Sequence, residues 1–231
     1  MNSVAENLAS IGTRIQEACG RVGRDPESVR LVGVTKTVPP DRIREGVEAG
    51  ITILGENYIQ EARKKIESMA DLDVSWHFIG HLQSNKAGIA VERFDLVHTV
   101  DRLSLAVEMD RQARKRGKQA SVLIQVNVGD EESKSGVSVE GLLTLYRSVC
   151  ALDGLKILGL MTLPPYLDDA EAVRPYFRML REWLYRLCQE APRPEELTEL
   201  SMGMSHDFEV AVEEGATMVR IGTSLFGARS A

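Results

Sequence analysis

Residues 29–40 read VRLVGVTKTVPP. The first eight put apolar side chains on both faces of an extended backbone and end on Lys36. A parallel strand covered by helices on both sides carries this pattern. From here to the end of the chain the same two-beat unit recurs: a short β-branched apolar run, a few residues rich in Gly, Ser, Pro or Asn, then an amphipathic stretch. Strands are expected at 29–36, 51–55, 74–80, 96–100, 120–127, 155–162, 197–201 and 218–221. Helices are expected to begin near Asp41, Asn57, Ser84, Asp101, Ser138, Asp168 and Ser205. The sixth is the clearest, because Val173, Phe177, Leu180, Leu184 and Leu187 recur at helical spacing behind a capping-type Asp168.

Strict alternation of strand and helix requires parallel pairing with right-handed crossovers, in either a doubly wound sheet or a closed barrel. Two features favour the barrel. No GxGxxG follows the first strand, where a dinucleotide-binding sheet would carry one, and polar or glycine-rich sequence follows nearly every strand. Eight strands close a (β/α)8 TIM barrel, with its site at the C-terminal ends of the strands. An extra helix precedes the first strand. There Ser3 and Glu6 form a capping box ahead of a stripe of Val4, Leu8, Ile11, Ile15 and Ala18, which ends near Gly20 and Gly23. With no linker or repeat, the whole chain, 1–231, reads as a single domain.

Bulk properties exclude several classes. The chain has 34 acidic against 28 basic residues and a formal charge of −6, so no footprint for nucleic acid stands out. Cys19, Cys150 and Cys188 are few and widely spaced, which indicates neither a disulfide framework nor a metal site. The N-terminus lacks an apolar core of the signal-peptide type, and no run reaches the roughly 18 apolar residues of a membrane span. A cytoplasmic location without a membrane partner is expected.

If the strands close a barrel, their C-terminal ends are the candidate site. A strand-terminal lysine such as Lys36 is ordinarily solvated; aimed into a site mouth, desolvation makes it a Schiff-base nucleophile. Position alone leaves both open. After the seventh strand comes SMGMSHD at 201–207, and after the eighth RIGTS at 220–224. Both are small-residue turns with hydroxyls and close backbone access, at the phosphate position of this fold. A lysine facing such a cradle suits a sugar phosphate held for aldol chemistry or pyridoxal 5′-phosphate (PLP). Arg220 bears on the choice, since a guanidinium can only donate and would leave a pyridine nitrogen unprotonated.

Other strand ends are less decisive. Asn57 and Tyr58 offer an amide and a phenol to the mouth, although Asn57 equally suits a helix cap. His81 is expected to be a hydrogen-bonded structural histidine rather than an acid or base. Lys134, Ser135 and Gly136 are read as a loop touching the mouth or a solvated turn, and Met161 as a core residue able to pack on a ring.

LVGVTK at 31–36, GENY at 55–58, WHFIGHLQSNK at 76–86, KSG at 134–136, LSMGMS at 200–205 and VRIGTSLFG at 219–227 together resemble the pyridoxal phosphate homeostasis family. That family is similar to the N-terminal barrel of alanine racemase, that is, PLP fold-type III reduced to its barrel domain. The resemblance implies PLP as cofactor and Lys36 as its Schiff-base lysine. It further implies that Arg220 faces the pyridine nitrogen, that Ser205, Gly222 and Thr223 hold the phosphate, and that Asn57 lies beside the ring. The implied role is buffering and delivery in vitamin B6 homeostasis, with apo PLP-dependent enzymes as acceptors and no robust catalysis. A monomer is expected.

Racemisation normally needs a base on each face of the substrate carbon. The sequence ends at Ala231, soon after the eighth strand, so the tyrosine that alanine racemase-like enzymes draw from an added domain is expected to be missing; Tyr58 is the one substitute in view. The leading expectation is thus a PLP-holding protein. A low-activity amino-acid racemase and, more distantly, a sugar-phosphate aldolase are the alternatives.

Overall fold

In a computed structural model, residues 3–131 and 134–227 are described; Ala231 lies outside them. Nine strands are present among the described residues: β1 Arg30–Val34, β2 Ile53–Glu56, β3 Ser75–Phe78, β4 Leu96–Val100, β5 Ala120–Asn127, β6 Val137–Ser138, β7 Leu155–Thr162, β8 Glu199–Met204 and β9 Met218–Ile221. All pairings are parallel. The ring runs β4-β3-β2-β1-β9-β8-β7-β5 and closes through β4 and β5, with β6 outside it on β5. The eight ring strands are the eight expected from the sequence.

The helices are α1 Val4–Val22, α2 Pro40–Glu48, α3 Ile59–Ser68, α4 Ala87–Arg93, α5 Leu103–Lys115, α6 Leu142–Cys150, α7 Arg174–Glu190, α8 Phe208–Glu213 and α9 Thr223–Phe226. α1 begins as its sequence dictates: Ser3 Oγ accepts from the Glu6 N–H and the Glu6 carboxylate accepts from the Ser3 N–H. It ends on Gly23 at φ 66, the left-handed conformation that glycine adopts without a Cβ penalty. Val4, Ile11, Ile15 and Ala18 are buried, and Asn7 donates to the Leu225 carbonyl, tying this helix to α9.

Several boundaries differ from expectation. Ser138 does not begin a helix but lies in β6, and α6 starts at Leu142. Long-range pairing of Val126 with Val137 and Asn127 with Ser138 takes this short run instead. α3 begins at Ile59 rather than Asn57, and the cap preceding α7 is Asp169, not Asp168. The cap side chain accepts from the Glu171 N–H at 2.9 Å. No described helix is long and apolar enough to cross a membrane.

Alternation along the strands sorts the barrel interior into layers. Val32, Ile53, Leu96, Leu123, Met161 and Met218 form one apolar cluster inside the ring. Two residues further along β9 and β4 stand Arg220 and His98, both buried. A larger cluster between the sheet and its helices includes Phe78, Phe177 and Phe208. Met161 is therefore core, as expected.

Close backbone approaches demand glycine at Gly80 and Gly159, where a Cβ would lie 2.0 Å from the Asn57 carbonyl oxygen and 1.9 Å from that of Glu199. Gly20, inside α1, has nothing within 4 Å of such an atom. Urea unfolding is expected to show Gly80→Ala and Gly159→Ala losing about 1–3 kcal/mol or more. Gly20→Ala should gain about 0.5–1 kcal/mol. Neutral effects at Gly80 and Gly159 would contradict the packing described.

Candidate functional site at the barrel mouth

β1 ends at Val34, and Lys36 stands two residues beyond it, half-buried in a turn. That turn is pinned to β2, where the Thr35 N–H donates to the Gly55 carbonyl at 2.9 Å, and is closed by the Val38 N–H donating to the Thr35 carbonyl at 2.9 Å. Thr37 holds φ 61, a left-handed conformation uncommon outside glycine.

Lys36 lines a cavity of about 440 Å³ together with Asn57, Ser205, Arg220, Gly222 and Thr223. The structure thus brings all six sequence-predicted site residues to one hollow at the C-terminal ends of the strands. Its size falls in the range of small-ligand pockets. The Ser205 hydroxyl accepts from the Ser224 N–H at 3.4 Å, joining the two small turns. A Cβ at Gly222 would sit 3.3 Å from the Val34 Cβ, so this turn lies close against the end of β1.

Arg220 is 3% exposed. Its Nη1 donates to the Ser201 hydroxyl at 2.6 Å and its Nη2 to the Thr162 carbonyl at 2.7 Å. Burial pushes its pKa down to about 10, opposed by the Asp207 carboxylate, so it remains a cation at neutral pH. Beyond Ser201 the chain of contacts continues: Ser201 Oγ to His98 Nδ1 at 2.9 Å, and His98 Nε2 to His77 Nδ1 at 3.0 Å. Accepting from the guanidinium leaves Ser201 its own proton to give, and the order that suits both contacts has Ser201 donating to His98 Nδ1 and His98 Nε2 donating to His77. This one-way order requires both imidazoles neutral. Burial favours the same state, holding His77 down at about 4 and His98 well below the ordinary range.

Asp207, at the start of α8, accepts from the Met204 N–H at 2.6 Å and is 4% exposed; burial pushes its carboxyl up. Tyr166 and Leu167 line the cavity with it. Sequence reading missed these three as lining residues, and it missed Ser201 and His98 behind Arg220. For Asp207 a signal existed, since the sequence places it at a helix start. The loop after β7 that carries Tyr166 and Leu167 gave none.

Tyr58, His81 and Lys134 stand outside the lining of the Lys36 cavity. Tyr58 is 60% exposed and lines a neighbouring cleft with Gln60, His81 and Lys86, so the structure does not offer its phenol to the Lys36 cavity. His81 is a hydrogen-bonded surface histidine, its Nδ1 3.1 Å from Ser135 Oγ. Lys134 donates to the Pro164 carbonyl at 2.7 Å, linking the loops after β5 and β7.

The residues fit a flat, phosphorylated, aldehyde-bearing ligand on one further observation. Asn57 Oδ1 is buried at the cavity wall without a hydrogen-bond partner among the described residues. A buried acceptor of this kind calls for a donor from an occupant or solvent. Amine, buried cation, small-residue turns and unsatisfied amide are what PLP presents groups for.

A barrel with this mouth is the class described by the family model "Alanine racemase, N-terminal domain", which matches residues 7–230. The chain is 51% identical over 227 residues to the pyridoxal phosphate homeostasis protein of Aquifex aeolicus, covering 98% of this chain and 99% of that one. It is 45% identical to the protein of that name from Pseudomonas aeruginosa, over 99% of this chain and 97% of the relative. Among solved structures, PipY of Synechococcus elongatus with PLP bound superposes with a TM-score of 0.84 at 39% identity, covering 97% of this chain and all of that one. The likeness to alanine racemase of Clostridium difficile, TM-score 0.72 at 13% identity, is one of fold. The chain belongs to the pyridoxal phosphate homeostasis protein family.

The neutral histidine pair gives a pH signature. His77 has a folded pKa near 4 against 6.5 for the free side chain, so the unfolded chain binds protons first on acidification. The stability it contributes is complete above about 6.5 and drains away as pH falls toward 4. In urea unfolding this one group should account for about 2 kcal/mol lost between pH 7 and pH 5. His77→Gln is expected to flatten the dependence by that amount; an unchanged dependence would contradict a neutral buried imidazole.

Proposed function

We propose that the chain holds PLP as a Schiff base on Lys36 and serves the cell as a reservoir that hands the cofactor on. The observation that carries the reading is the convergence of Lys36, Arg220 and the two small turns on one cavity. The homeostasis proteins at 40–51% identity and the PLP-bound PipY structure support it.

In this reading the Lys36 amine condenses with the cofactor aldehyde and releases water. Ser205 and Thr223 offer hydroxyls to the phosphate. The N–H of Thr223, first in α9, adds a donor beside Gly222. Asn57 accepts from a donor next to the ring, and Leu163, Tyr166 and Leu167 form an apolar wall. Bound PLP supplies an electron sink for bonds at an amino-acid α-carbon.

Arg220 tempers that sink. As the group assigned to the ring nitrogen it can only donate, and Ser201 and Thr162 hold it in place. A ring nitrogen left unprotonated draws electrons more weakly, which favours holding the cofactor over using it. Release then proceeds by exchange with another amine, apo PLP-dependent enzymes being the proposed acceptors and a cytoplasmic monomer the proposed working form.

Mixing the purified chain with PLP is expected to give a visible absorption band that Lys36→Ala lacks, with affinity lowered roughly tenfold or more. Adding an apo PLP-dependent enzyme to the loaded chain should transfer the cofactor. With D- or L-amino acids in deuterated water, α-proton exchange should stay near the rate of free PLP. Lys36-dependent exchange at enzyme-like rates would instead establish a catalyst.

A further inference from the structure

A second lysine lies behind the first. Lys65, on α3, is 7% exposed, an unusual place for an ammonium unless it is fully paired. Its Nζ donates to Glu56 Oε1 at 2.7 Å, to Glu61 Oε1 at 2.6 Å and to the Thr35 carbonyl. Three partners use all three of its protons. Glu56 is wholly buried and also takes the Thr35 hydroxyl at 2.7 Å. Glu61 takes the Thr37 N–H at 2.7 Å.

These contacts end on two particular peptide units. The Thr35 carbonyl belongs to the peptide before Lys36, and the Thr37 N–H to the peptide after it. Fixing both planes fixes the direction of the Lys36 Cα–Cβ bond, because a residue has only two soft backbone torsions. The same grip accompanies the left-handed Thr37, at φ 61, a conformation that persists only where surroundings over-determine it.

Stability alone gives little reason for this cluster, since a buried ion pair is often no better than well-packed apolar side chains. Its cost is visible in Glu56, whose carboxyl burial pushes up and whose Oε2 has no hydrogen-bond partner among the described residues.

We propose that Lys65, with Glu56 and Glu61, is a positioning group that aims Lys36 at the cofactor aldehyde. The inference rests on the reading of Lys36 given above and adds that the speed of capture and release is set from behind the turn. Lys65 itself touches no cofactor.

Glu61→Ala is the primary variant, because Glu61 is partly exposed and its loss leaves the buried Lys65–Glu56 pair in place. Lys65→Met combined with Glu56→Gln removes the buried charges together. Amide hydrogen exchange in the unloaded chain should show the Thr37 N–H losing protection roughly tenfold or more in Glu61→Ala. Glu61→Gln, which retains a carbonyl acceptor, should restore most of it. Growth and decay of the visible band in stopped flow are expected to slow or quicken by roughly ten- to a hundredfold in Glu61→Ala, while its melting temperature stays near wild type.

A wild-type chain without a Lys36-dependent band would overturn the reading of the site and this inference with it. A wild-type chain with the band, alongside Glu61→Ala and double-variant proteins that match its rates, would overturn this inference alone.

Discussion

Pairing of the first barrel strand with the last is the constraint on which the site depends. β1 meets β9 in a register that sets Val32 against Arg220 and Gly33 against Ile221. Residues from the two ends of the chain thereby become neighbours, and the turn at Gly222 packs on Val34. Without closure Lys36 is a lysine in the turn after an edge strand, and Ser205, Gly222 and Thr223 are unrelated turn residues. Closure also lets the interior carry polarity, because a guanidinium inside a ring can be answered by strands on every side.

That interior polarity is ordered. Arg220 donates to Ser201 and Thr162, and the chain passes through His98 to His77. Burial holds both imidazoles neutral, so the arginine stays the single cation of the column. A second polar set, Lys65 with Glu56 and Glu61, stands behind the Lys36 turn. Two buried charge networks thus bracket one cavity, one beneath its floor and one behind its lysine.

Much of this was legible beforehand because it is local or periodic. Strand identity came from β-branched runs, α1 from its capping box, and the mouth residues from their position after strands in a fold whose site is always at that end. β6 was not legible, since its two residues are drawn into a strand by pairing with β5 rather than by propensity. Nor was the histidine pair: nothing in WHFIGHLQSNK distinguishes the buried His77 from the exposed His81 until β3 and β4 are side by side. Nothing in the sequence around Lys65 sets it apart from any other helix lysine. Its role depends on a turn 30 residues earlier, a separation that no local pattern encodes.

Holding a reactive aldehyde calls for a lysine that captures it, a phosphate cradle that keeps it, and a ring environment that does not promote chemistry at bound amines. The proposed roles of Lys36, of Ser205 with Gly222 and Thr223, and of Arg220 meet these three needs. The most direct test is borohydride reduction of the PLP-loaded chain followed by peptide mass mapping. The account predicts a single stoichiometric pyridoxyl adduct on Lys36. An adduct on Lys65, Lys86 or Lys134 in its place, or none, would contradict it.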